Sequence, residues 1–159
     1  MRLLLRTVGC FLVLVILHYT VRPLVGARIS LDFLVVAVLL VAVQVRPGVA
    51  ALIGFATGLI ADSMTPLSFG AGALALSAVG SAASSLKAAV FGDNVLLKVV
   101  FLAAGKWAFD IVDLVFERRL GLADLAVQLV LWSPLSAIAT GVAGALVVMA
   151  FGISLESRR

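Results

Sequence analysis

Apolar runs of membrane-spanning length, broken only by short junctions containing Arg, Pro, Gly and Asp, occupy most of this chain and leave few folds open to it. Of its 159 residues, 64% are hydrophobic and 13% are charged, about half the usual globular share of ~25%. A soluble domain needs a polar shell, because ~55–60% of its surface is already apolar atoms. Twelve Lys and Arg with eight Asp and Glu are too few to supply one. The same apolar excess excludes a disordered chain. The expected class is therefore an all-α integral membrane protein forming a single transmembrane domain, 1–159. At ~20 residues per span, six helices use about 120 residues and leave roughly 39 for loops and tails. No segment remains for a soluble catalytic domain.

The junctions divide the chain into spans at about 3–21, 31–45, 48–62, 66–86, 94–116 and 134–151. Arg2 and Arg6 before the first run imitate a signal peptide, but the run continues to His18 and Tyr19 without a small-residue cleavage site, so a retained helix ending at Arg22-Pro23 is expected. Ser30 is a plausible N-cap for the second span, with Asp32 in its first turn. The second and third spans are short and call for shielding by other helices or a thinned bilayer. Thr65-Pro66 and Ser133-Pro134 carry a cap followed by proline, a helix-start signature. The stretch Ala123 to Phe151 is too long for one simple span. Residues 123–132 are therefore expected to form a short interfacial or re-entrant helix, with a single proline-kinked helix as the alternative.

With six spans both termini share a side, where Arg2, Arg6, Arg46, Lys87, Lys98, Arg158 and Arg159 also fall. Arg22, Arg28, Arg118 and Arg119 lie opposite. This excess predicts cytoplasmic termini. The net charge of +4 fits cations flanking helices beside anionic lipid. Nucleic acid is not an expected partner, since no basic cluster exceeds two residues. The lone cysteine, Cys10, cannot form an internal disulfide.

Ionisable groups within apolar runs are costly and therefore informative. Lys106, Asp110, Asp113 and Glu117 fall within an arc of ~60° at helical periodicity, so one face of the fifth span must avoid lipid. An ion-pair ladder starting with Lys106 and Asp110, a polar seam, a proton or cation pathway, and contact with a partner or small ligand all fit that face. Asp62 is expected to brace the turn into the fourth span by accepting backbone N–H bonds. Small residues recur every four positions at Ala50, Gly54 and Gly58, at Ala73, Ser77, Ser81 and Ser85, and at Ala137, Gly141 and Ala145. Such stripes let backbones approach closely, either within one bundle or against a foreign helix. His18 lacks partners at metal-ligand spacing, and no G-x-S-x-G, H-E-x-x-H or phosphate-binding glycine loop occurs. No enzyme activity, cofactor or metal is expected.

Ser30-Leu31-Asp32-Phe33-Leu34, Arg46-Pro47-Gly48, Gly54, Gly58, Asp62 and Pro66-Leu67-Ser68-Phe69-Gly70 follow one another across residues 30–74. This pattern resembles the MreD family of bacterial rod shape-determining membrane proteins, in which a Leu- and Gly-rich helix ends in Asp before a Pro-Leu-Gly turn. Leu31 stands where members often have Pro, and Gly70 is spaced differently from the tightest form. The resemblance implies six helices similar to the substrate-binding subunits of energy-coupling-factor transporters. It implies a non-enzymatic scaffold of the cell-elongation machinery that binds the single-span protein MreC and works with RodA, its transpeptidase and MreB in lateral peptidoglycan synthesis. Gly54, Gly58, Asp62, Pro66, Gly70, Asp110 and Asp113 are the expected partner-binding or helix-packing residues. The alternatives are a vitamin-type small-molecule binding subunit of a transporter and a proton-coupled carrier using Asp110 and Asp113.

Overall fold

A computed structural model of the chain describes residues 2–21, 31–64, 69–86, 95–117 and 127–150. These residues form six α-helices and no strand: α1 (Arg2–Val21), α2 (Phe33–Ala42), α3 (Pro47–Asp62), α4 (Ala71–Leu86), α5 (Val95–Glu117) and α6 (Ser133–Ala150). A π-helical turn, Gln128–Trp132, leads into α6.

The shortest helix is the centre. Every residue of α2 except Val41 is buried, and α2 touches each of the other five helices. Its valines lose side-chain freedom in a helix, so its order comes from being enclosed by apolar neighbours rather than from propensity. The helix ends at Ala42, earlier than the expected 45. Val43, Gln44 and Val45 form a closing turn through backbone bonds to Leu39, Val41 and Ala42. Pro47 then holds Arg46 extended (φ −75°, ψ 153°) and opens α3.

The most extensive helix contact joins α3 and α4. A Cβ on Gly58 would fall on the backbone of Ala73, and one on Gly54 on the carbonyl of Leu76. These two positions admit no side chain at this separation. The pair α5 and α6 is built the same way, with a Cβ on Gly141 reaching only 2.8 Å from the Val99 carbonyl oxygen. α1 packs chiefly against α2, burying Cys10, Leu14 and His18.

Two further boundaries differ from the sequence expectation. The fourth helix starts at Ala71 rather than at 66, because Gly70 has φ +98° and a right-handed helix cannot run through it; residues 65–68, including the Thr65-Pro66 signature, lie outside the described residues. The break expected at Ser133-Pro134 is also absent. Residues 127–132 are helical and continuous with α6, and 123–126 lie outside the described residues. Pro134 lacks an N–H and crowds the preceding turn. The π turn makes room for it, with Ser133 N–H bonded to the Gln128 carbonyl.

Among the described residues one helix, Gln128–Val147, is long and apolar enough to cross a membrane, and four shorter apolar helices accompany it. Polarity is distributed inside out. Leu12, Ile16, Leu52, Ile60, Val100, Ile138 and Leu146 are exposed. Asp32, Asp62, Lys106, Ser133, Ser136 and Thr140 are buried.

Candidate functional site

Lys106 sits midway along α5 on a face turned into the bundle and is 1% exposed. Asp110 lies one helical turn further, so the two side chains meet, and the ammonium bonds Asp110 Oδ1. The same ammonium contacts Asp32 Oδ2, on the N-cap of α2. Asp32 makes no side-chain cap bond to its own helix; its carboxylate is turned to Lys106 instead. The backbone N–H of Asp32 donates to Thr140 Oγ1 of α6 at 3.3 Å. Ser133 Oγ, the first residue of α6, donates to Asp110 Oδ2 rather than capping its helix. The Lys106 ammonium also lies 5.4 Å from the centre of the Phe109 ring. One cation and two carboxylates thereby cross-link α2, α5 and α6 at a buried point.

A fourth helix reaches this centre. His18 of α1 is buried, with Nδ1 3.8 Å from Asp32 Oδ1. Its ring meets the Tyr19 ring edge-on at 5.2 Å.

Beside the cluster lies a cavity of about 260 Å³ bounded by His18, Asp32, Asp62, Lys106, Asp110 and Asp113. Gln128, Ser133 and Ser136 complete its polar wall, and Phe109, Leu76 and Leu114 its apolar one. The cavity gathers the C-terminal parts of α1, α3 and α5 and the N-terminal parts of α2, α4 and α6 at one end of the bundle. Asp62 accepts the N–H groups of Gly70 (2.9 Å) and Ala73 (3.0 Å) through Oδ2. Its charge therefore faces the positive end of α4. Among the described residues no group of three His, Cys, Asp or Glu could hold a metal ion.

The expected site residues thus separate into two places. Gly54 and Gly58 form the α3–α4 contact and do not line the cavity. Asp62, Asp110 and Asp113 share the cavity wall, and Gly70 supplies the turn that Asp62 braces. Pro66 lies outside the described residues. The expected Lys106–Asp110 pair is present, but sequence reasoning missed Asp32 as its third member, read there only as a first-turn residue. It also missed His18 and Ser133. The available signal was an acid directly before a helix with no polar residue, in a chain whose fifth span carries a lysine in its middle.

The fold and site define an all-α bundle with an apolar exterior and a buried ion cluster. Comparison with protein-family models, with curated proteins and with solved structures gives no match for this chain.

Proposed function

We propose that this chain is a six-span protein of the bacterial inner membrane, with both termini cytoplasmic, that serves as a scaffold of the cell-elongation machinery of the MreD type. The observation that carries the reading is the inverted polarity: large apolar side chains cover the outside of every helix except α2, while Asp32, Asp62, Lys106 and Asp110 are turned inward. In water that surface would aggregate; in lipid it is the favourable one. Helices shorter than ~30 Å are accommodated by thinning the bilayer or by shielding, and α2 is shielded on all sides.

A scaffold role is supported by where the ionisable groups act. Lys106, Asp32 and Asp110 engage one another across α2 and α5, and Asp62 engages the α3–α4 turn, so each holds helices in register. The Asp-turn-Gly pattern shared with MreD proteins acts here as a structural brace. A rigid bundle of this kind offers its apolar flanks to other membrane helices, MreC's first, with RodA, its transpeptidase and MreB in the wider assembly. Co-expression with MreC followed by detergent co-purification tests the reading: a stable complex supports it, and repeated recovery of the two proteins apart counts against it. Depletion from a rod-shaped host should round the cells.

The cavity favours a second reading, a small-solute binding subunit or carrier with the architecture of an energy-coupling-factor substrate subunit. Its polar wall is built from Asp62, Asp110, Asp113 and Gln128. Thermal shift with a vitamin panel, or pH-dependent flux in liposomes lost in Asp110→Asn, would favour it over the scaffold.

A further inference from the structure

α4 and α5 pack less closely than α3 with α4 or α5 with α6, and a groove of about 390 Å³ runs between them. Ala78 and Ala82 of α4 and Ala104 and Ala108 of α5 line it and are exposed, so they stand at its mouth. Its floor is Leu39 of α2, 1% exposed. Leu39 reaches between the two helices because residue 105 is glycine; a Cβ there would come within 2.5 Å of Leu39 Cδ1. Every residue lining the groove is apolar.

The length of the groove limits what can occupy it. Along α4 it runs from Ala78 to Leu86, the last residue of that helix, and along α5 from Phe101 to Val112. At ~1.5 Å per residue these stretches are about 12 Å and about 16 Å. One leaflet contributes ~15 Å, half of the ~30 Å hydrocarbon core. The groove is therefore as long as one leaflet and half as long as a spanning helix requires.

The two ends of the bundle differ in charge. Asp32, Asp62, Asp110, Asp113 and Glu117 lie on the cavity side. At Leu86 the groove reaches the opposite end, where Ser84 Oγ of α4 donates to the Val45 carbonyl at 2.7 Å and Arg46 follows. Lys98 lies at this end of α5, about one turn before Phe101 and two before Gly105, and is partly buried. A lysine stem can lie along apolar surface while its ammonium stays at the membrane surface. Among the described residues no acid lies at this end; Lys87 and Asp93 fall within 87–94, outside them. We propose that the groove seats one acyl chain of an anionic phospholipid, with the phosphate of its head group held at Lys98. A leaflet-deep apolar slot with a cation at its end complements such a lipid. The inference rests on the bundle being embedded in a bilayer and not on its binding MreC.

Native mass spectrometry of the delipidated full chain, titrated with phosphatidylglycerol or phosphatidylcholine of the same acyl chains, tests it. The first phosphatidylglycerol should bind about fivefold more tightly than the first phosphatidylcholine, the scale of one lysine beside an anionic head group. Lys98→Gln should abolish that preference. Ala82→Phe, which fills the groove from an exposed position, should weaken the first site for both lipids while leaving the helix content by circular dichroism unchanged. Equal binding of the two lipids by the wild type, a preference unchanged in Lys98→Gln, or a first site unchanged in Ala82→Phe overturns the proposal. A dimer that Ala82→Phe abolishes, in place of a lipid adduct, also overturns it, by assigning the groove to a second copy. Embedding is read separately in liposomes, from a nitroxide at Leu52 of α3 in a Cys10→Ser background; Leu52 is exposed and does not line the groove. Oxygen collision above that of a nickel chelate there, with no lipid preference, refutes the groove alone. Nickel dominance refutes the groove and the membrane reading together.

Discussion

Replacing Lys106 with Met removes the cation that pairs with both Asp32 and Asp110 in a cluster that holds three helices. Asp32 and Asp110 keep 12% and 13% of their side-chain surface exposed, so both carboxylates remain largely out of water after the substitution. A contact ion pair at ~3 Å in an effective dielectric of ~20 has a gross attraction of about 5–6 kcal/mol. Most of that gain is cancelled by the desolvation of the lysine, which the variant no longer has to undergo. What persists is the cost of two buried acids without a counter-charge, about 3–5 kcal/mol. Against a total stability of about 5–15 kcal/mol this is a large fraction. Unfolding by sodium dodecyl sulfate in mixed micelles, followed by tryptophan fluorescence, measures it. The same assay on the combined Asp32→Asn, Lys106→Met, Asp110→Asn variant should recover to within about 1 kcal/mol of the wild type, because no charge is then left buried. A Lys106→Met protein within about 0.5 kcal/mol of the wild type would refute this reasoning, since it would mean that the cluster is solvated.

Gly58→Val should cost about 1–3 kcal/mol or more in the same titration, because its Cβ falls on the Ala73 backbone and forces α3 from α4. Asp62→Ala removes the acceptor for Gly70 and Ala73 N–H and should cost about 1–2 kcal/mol, with α4 losing hydrogen-exchange protection at its first turn. Val142→Lys, outward-facing in the middle of α6, should reduce membrane insertion by about 2.5–3.5 kcal/mol in a glycosylation-mapping assay; an exposed position on a protein in water would tolerate it.

Local features were legible in the sequence and non-local ones were not. The Lys106–Asp110 pair follows from four-residue spacing, and the Gly54 and Gly58 contact from small residues on one helix face. Asp62 could be placed because a carboxylate closing one helix just before the next can brace the turn between them. Asp32 could not be matched to Lys106, because 74 positions separate them and only the docking of α2 against α5 joins them. The sequence places His18 near the end of the first apolar run, but its approach to Asp32 depends on how α1 lies on α2. The Ser133-Pro134 signature misled because Ser133 bonds Asp110 of another helix and the π turn absorbs the proline. The late start of α4 turns on the positive φ of Gly70, a conformation that glycine permits without requiring it.

The central claim, that lipid surrounds this bundle while its charges cross-brace the inside, is tested most directly by spin labels. Nitroxides placed singly at Leu12, Phe55 and Val142, which face outward near the middles of α1, α3 and α6, would be read in liposomes in a Cys10→Ser background. The account predicts that collision with oxygen exceeds collision with a water-soluble nickel chelate at all three. Dominance of the nickel chelate at these positions would contradict it.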